Sequence, residues 1–205
     1  MAGPTEPQQS VVDPRPARKQ ARVAQILDAA WQIAHEQGLA GVALHEVARR
    51  VGLRQPSLYA YFDSKAGLYD LMYAQGYADL LQRLESADLP VDPKRALVEM
   101  SRLVLDFQVD QPARAQLLFL RTVPGFTPSP ESYALALRFM ESFTARLLAA
   151  GATSQAHVDI FTALVAGIAN QQTANDPGGD RWTRHLDTVL NLYFNLLQKD
   201  SDDRT

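Results

Sequence analysis

Apolar residues first recur with a helical period at Val23, Ile26, Leu27, Ala30, Ile33 and Ala34, and Gly38 follows as a C-cap, which predicts a helix from about Arg18. Leu44, Val47, Ala48 and Val51 repeat the spacing over barely two turns before Gly52, so the second helix is short. Pro56 fits only the first turn of a helix, where its missing N–H is not needed. A third helix therefore begins near Gln55 and carries Leu58 and Phe62 inward. Asp63-Ser64 offers an N-cap for a longer fourth helix through Leu68, Leu71, Met72, Tyr77 and Leu81.

Proline-marked breaks divide the rest. Helices are expected from Asp92-Pro93 to about Val109, from Pro112 through Leu120, from Tyr133 to Ala150 before Gly151, from about Ser154 to Asn170 or beyond, and from Trp182 to about Gln198. RTVPGFTPSPES and ANDPGGDR read as loops. No segment alternates with period two for long enough to make a convincing strand. The class is all-α, with about nine helices: an N-terminal helix-turn-helix domain of three helices over residues 18–64 and a larger helical domain over 65–200. The proline-rich residues 1–17 read as an arm without regular structure, and 201–205 as a tail.

Composition removes several function classes. A hydrophobic fraction of 46% can bury a sizeable core, while no apolar run reaches membrane-spanning length and the first residues lack a signal-peptide core, which points to a cytoplasmic protein with no membrane partner. There is no cysteine, hence no disulfide, thiolate nucleophile or thiolate metal site. His35, His45, His157 and His185 show no compact ligand spacing, and neither a Gly-x-Ser-x-Gly turn nor a phosphate-binding glycine loop occurs. The chain is expected to be no enzyme and to need no cofactor or metal. Charge is unevenly spread: residues 1–65 hold eight Lys/Arg against six Asp/Glu, and the remainder twelve against seventeen. The basic excess lies in the part carrying the short helices.

Those short helices suit nucleic acid. The second helix, the turn Gly52-Leu53-Arg54 and the third helix make a helix-turn-helix, whose second helix can enter a major groove. A helix N-terminus favours a phosphate nearby, and Gln55 and Ser57 at that end can reach base edges. Leu58 and Phe62, four apart, face the core, which leaves Tyr59 and Tyr61 to point elsewhere, where a phenol can bond a phosphate oxygen. Arg18, Arg22 and Lys65 are placed to clamp the backbone on either side. Tyr61 is divided between DNA contact and packing, and Arg54 between phosphate contact and plain surface cation. Arg49 and Arg50 read as a solvated face.

Residues 22–72 resemble the N-terminal domain of the TetR family of transcriptional regulators. The matching features are the ILDAA helix, Gly38 after it, the HEVARRVGL helix and turn, the LYAYF helix, and Ser64-Lys65 opening the fourth helix. The resemblance implies a homodimeric repressor that binds double-stranded operator DNA and is released by a small-molecule effector. It places Gln55, Pro56, Ser57, Tyr59, Tyr61 and Lys65 on positions that contact DNA in members of the family. Two positions depart. Val42 and Ala43 stand where the family often has a Ser or Thr capping the second helix and touching phosphate, and Arg54 stands where it often has Ser.

Past Met72 the resemblance rests on helical layout and on GIANQQTANDPGGDRW, similar to a segment of one subgroup of the family. Met100, Leu103, Phe107, Phe126, Phe139 and Phe143 form an aromatic and methionine stripe that lines either the core or a mostly apolar effector site, with Arg121, Gln171 and Gln172 as polar groups that could orient a ligand. The last two helices carry Phe161, Leu164, Val165 and Ile168, then Leu186, Val189, Leu190, Tyr193 and Leu197. By resemblance these form a four-helix dimer interface; packing within one chain is the alternative. A helical interaction protein without operator binding is the rival function.

Overall fold

A computed structural model describes residues 15–202. Residues 1–14 of the expected arm and 203–205 of the expected tail lie outside the described residues. The helices are α1 (Arg15–Gln37), α2 (Leu44–Arg50), α3 (Gln55–Leu58), α4 (Lys65–Ser86), α5 (Pro93–Asp110), α6 (Pro112–Phe119), α7 (Pro130–Ala149), α8 (Gln155–Asn175) and α9 (Leu186–Asp202). Single 3-10 turns at Leu39–Gly41 and Thr183–His185 precede α2 and α9. The described residues contain no strand.

Side-chain caps set most of the long-helix starts. Ser64 accepts the Gly67 N–H, Asp92 that of Arg95, Ser129 that of Ser132 and Ser154 that of His157. Proline occupies the first turn of α3, α5, α6 and α7. The same chemistry corrects the expected start of α7 at Tyr133: Ser129 and Pro130 are a cap and first residue hidden in a proline-rich run. The ninth helix starts at Leu186 rather than Trp182, because the Trp182 and Thr183 N–H groups both turn to the Gln172 Oε1. α2 has no cap, with Ala43 at the position. Val42 and Val47 occupy the two positions of a hydrophobic staple and are both fully buried, so apolar burial holds that end. Its other end closes as a Schellman turn: the Leu53 N–H reaches the Ala48 carbonyl at 2.8 Å, and Gly52 supplies the positive φ of 66°.

α4 is the helix the others share. Its buried residues run from Leu68, Tyr69, Met72 and Tyr73 to Leu80, Leu81 and Leu84, and it touches α1 as well as α5, α6 and α7. Three polar ties fix α1–α3 against it. The Tyr69 hydroxyl donates to the Leu39 carbonyl at 2.7 Å, the Trp31 indole N–H to Gln75 Oε1 at 2.8 Å, and Arg114 of α6 pairs with Asp79 while lying 4.8 Å over the Trp31 ring. A ladder of rings links the other elements: Phe126, Tyr73, Tyr77, Phe139, Phe143, Phe161, Tyr193 and Phe194 are in successive contact, with centroids 4.9–6.2 Å apart.

The terminal pair corrects the expected interface. Phe161, Val165, Ile168, Leu186, Leu190, Tyr193 and Leu197 are buried within this chain, because α8 and α9 pack on α5 and on each other. Leu164 and Val189 are half-buried at the edge. The outward face of the pair instead shows Ile160, Ala163, Gly167 and Leu192, with Leu196 half-buried beside them, Leu192 65% exposed and open space around Gly167. His157 staples the pair: its Nδ1 accepts the Thr153 N–H at 3.0 Å, which puts the ring proton on Nε2, 2.9 Å from the Asp200 carboxylate.

Leu58 is fully buried where α3 meets the core. Leu58→Ala is expected to cost about 2–5 kcal/mol in chemical unfolding, against less than about 0.5 kcal/mol for an exposed change such as Gln55→Ala.

Candidate nucleic-acid interface and adjoining cavity

Leu58 and Phe62 seal the inner side of α3 and the turn that follows it. The residues between and before them are therefore forced outward. Arg54, Gln55, Pro56, Ser57 and Tyr59 are all exposed, Tyr59 at 47%, and form one continuous surface. α3 itself is a single turn of four residues without a side-chain cap. That corrects the expectation of phosphate attraction to its N-terminus: so few aligned peptides sum to little dipole, and recognition falls to the side chains.

Beside this surface lies a cleft between α1 and the end of α3, lined by Arg18, Lys19, Arg22, Gln25, Ala60 and Tyr61. It brings together Arg18, Arg22 and Tyr61, and its lining contains no acid. Lys19 and Gln25 went unread in the sequence, although their spacing from Arg22 on one helix was the available signal. Arg22 has a second task, since its guanidinium donates to the Val51 carbonyl at 3.3 Å and so braces the end of α2. Tyr61 is half-buried against the core, as its packing role expects, and also lines the cleft. Lys65, exposed at the first position of α4, rests its ammonium 5.5 Å from the Tyr69 ring.

Arg49 and Arg50 are committed to acids. Glu46 accepts from both, and Arg50 also forks onto Glu36 of α1 at 2.5 and 2.9 Å. Hydrogen bonds from Arg49 and then Arg50 pull the Glu46 carboxyl down from 4.5 to about 2. With the folded pKa depressed, its contribution is present above pH 4.5 and lost as pH falls towards 2. Exposure to solvent keeps that contribution small.

A cavity of about 600 Å³ opens between α4, α6, α7 and the loop after α6. Tyr73, Tyr77, Phe119, Phe126 and Tyr133 supply rings to its wall, with Leu117, Leu137 and Met140 among the aliphatic residues. Burial raises the Tyr73 and Tyr77 phenols above their ordinary range, and the Tyr77 hydroxyl is spent on the Leu118 carbonyl at 3.0 Å.

Of the residues expected at an effector site, Arg121 and Phe126 line this cavity. Phe139 stands behind it, against Tyr77 and Phe119. Met100, Phe107 and Phe143 are core residues, and Leu103 packs at the core edge. Gln171 is exposed and bonds Asn175. Gln172, fully buried, organises the 176–183 loop: its amide donates to the Asp176 and Gly179 carbonyls while its oxygen takes the Trp182 and Thr183 N–H groups. The missed lining residues, Tyr73 and Tyr133 among them, sit at core-like spacing, which does not distinguish a wall from an interior.

The model for bacterial regulatory proteins of the tetR family matches residues 26–79. The HTH-type transcriptional regulator Rv1816 of Mycobacterium tuberculosis is 29% identical over 159 residues, covering 76% of this chain and 60% of that protein. The chain thus spans about 60% of the length of these curated relatives. A protein with unknown function from Rhodococcus sp. RHA1 superposes with TM-score 0.72 at 16% identity, over 85% of this chain and 93% of that one. The transcriptional regulator FadR from Bacillus subtilis, in complex with stearoyl-CoA, does so with TM-score 0.63 at 15% identity, over 83% and 97%. These two likenesses establish the fold.

Tyr59 is 47% exposed, and its hydroxyl has no hydrogen-bond partner among the described residues. Tyr59→Phe is expected to weaken binding to DNA from upstream of the protein's own gene by roughly threefold to tenfold, the worth of about one hydrogen bond, with an unchanged melting temperature. Fluorescence anisotropy and thermal unfolding on the same preparation read both.

Proposed function

Because this chain belongs to the TetR family of bacterial regulatory proteins, we propose that it is a cytoplasmic repressor that binds operator DNA as a homodimer and leaves it when a small, mostly apolar molecule fills the cavity beside α4. It is a DNA-binding transcriptional regulator rather than an enzyme. Residues 18–64, with Lys65 at the start of α4, carry the DNA contacts, and the rest of 65–200 the effector and the second subunit. The observation that carries this reading is the exposed set Arg54–Tyr59, sealed behind by Leu58 and Phe62 and flanked by the basic cleft. Gln55, Ser57 and Tyr59 take base edges and nearby phosphate, and Arg54 and Pro56 complete that surface. Arg18, Lys19, Arg22, Tyr61 and Lys65 hold the backbone.

One turn of helix offers few base contacts, so affinity depends on two copies set about one DNA turn, roughly 34–36 Å, apart. The outward face of α8 and α9 suits that pairing, since Ala163 and Gly167 let a second helix approach closely and Ile160, Leu192 and Leu196 supply apolar area. The cavity reaches the DNA-binding half through Phe126, which packs 5.9 Å from Tyr69, whose hydroxyl holds Leu39 beside α2. A ligand that displaces Phe126 acts on that tie directly, and through α4 on the spacing of the two α3 helices. That the Bacillus subtilis FadR, a protein of the same fold, is found in complex with stearoyl-CoA supports a ligand-responsive reading.

In mobility shifts the upstream DNA of the protein's own gene should bind with a dissociation constant of about 10⁻⁸ M or tighter, and unrelated DNA at least roughly a thousandfold more weakly. Equal binding to both fragments would defeat the operator reading. In sedimentation at micromolar concentration the protein should be a dimer and Leu192→Arg a monomer of unchanged helix content; a monomeric parent protein would end the dimer reading.

A further inference from the structure

We propose that the cavity takes a small organic anion, whose apolar body lies among the rings while its carboxylate or similar negative group rests on Arg121. This deepens the reading of the cavity as the effector site and rests on it. The wall is apolar and ring-rich, and among the described residues lining it Arg121 is the one charged side chain. A neutral ligand would leave that cation unused, and a cationic one would meet like charge with no carboxylate in the lining to offset it.

Arg121 is also available. Arg114 pairs with Asp79, and Arg138 lies 3.7 Å from Glu85, whereas Arg121 forms no ion pair among the described residues. A carboxylate that could have competed, Asp70, stands at the other end of the same loop. It does not line the cavity and is occupied by three donors: the Ser129 N–H at 2.7 Å, the Ser129 hydroxyl at 2.9 Å and the Ser132 hydroxyl at 2.8 Å. This clamp pins the end of the loop while leaving Arg121 at its start beside the wall. Burial raises the Tyr73 phenol, on which the charges of Arg121 and Asp70 act in opposite directions. Arg121 itself is exposed, so the head group sits at the mouth, partly in water, and the body points inward towards Tyr77 and Phe126. A planar guanidinium can bind such a group through two parallel hydrogen bonds.

The test titrates decanoate and 2-naphthoate, and the methyl ester of each, into the full-length protein and into Arg121→Gln by calorimetry. A second variant, Leu137→Trp at the half-exposed rim, reports occupancy of the cavity by a change in indole emission with decanoate. The expected result is that at least one carboxylate, aliphatic or ring, binds roughly tenfold or more tightly than its ester. Arg121→Gln should erase that difference without weakening the ester, and the emission of the Leu137→Trp variant should shift. Acid and ester binding equally, with Arg121→Gln neutral and the emission still shifting, would overturn the anion assignment and leave the cavity as effector site. No binding by any of the four, with a silent reporter, would overturn both.

Discussion

The bond from the Tyr69 hydroxyl to the Leu39 carbonyl, with the packing of α4 around it, is the constraint on which the rest of the molecule depends. Leu39 belongs to the 3-10 turn that aims α2, and α2 aims α3. Tyr69 belongs to a helix whose other buried side chains form the floor of the large domain. Breaking this bond would leave the Leu39 carbonyl with the Val42 N–H alone and strand the buried Tyr69 hydroxyl, at a cost of about 1–3 kcal/mol. Trp31 on Gln75 and Arg114 between Asp79 and Trp31 add to the same joint from the α1 side. The part of the chain that carries the exposed Arg54–Tyr59 surface is thus held to α4 at several points. α4 cannot tilt without taking α1 and the 3-10 turn with it.

The cavity proposed for the effector is built against the same helix. Tyr73 and Tyr77 face it one and two turns along from Tyr69, and Phe126 bridges the cavity and Tyr69. From Tyr77 the ladder of rings continues through Phe139 and Phe143 to Phe161 and Tyr193 on α8 and α9. Close-packed rings resist continuous deformation, so a displacement at the cavity is passed on rather than absorbed. In the proposed mechanism one ligand touches the origin of two routes, one to Leu39 and the DNA surface and one to the helices of the subunit contact.

The sequence made the DNA-binding half legible because its signals are local. Gly52 in a positive-φ turn, Pro56 in a first turn, Ser64 as a cap and the Leu58/Phe62 pair each act within a few residues, and the structure keeps all of them. The large domain was legible as helices but not as faces. Phe161, Leu190 and Tyr193 have the period of an interface, yet the nearest apolar surface to cover was α5 of their own chain. What remains outside is a weaker pattern of small and isolated residues, such as Ala163, Gly167 and Leu192, with no loud period. Gln172 misleads for a related reason. A glutamine ahead of a Pro-Gly-Gly loop can hold a ligand or the loop, and which one depends on how the chain returns ten residues later. Met100 and Phe107 on α5 are fully buried and do not line the cavity, a difference of depth that spacing along a helix cannot encode.

The brevity of α3 gives this arrangement its sensitivity. A four-residue helix without a cap contributes little dipole, and α2 above it relies on the Val42–Val47 staple in place of a capping hydroxyl. In the proposed dimer each copy therefore brings a modest set of side-chain contacts, and tight binding arises when two sets engage one duplex together. A change in spacing that spoils one half-site removes the advantage of joint engagement as well as its own contacts. Allosteric coupling of about 1–3 kcal/mol, the usual range, lowers affinity by roughly five- to 150-fold. A longer, better-capped recognition helix would bind more strongly as a monomer and respond less to its partner's position.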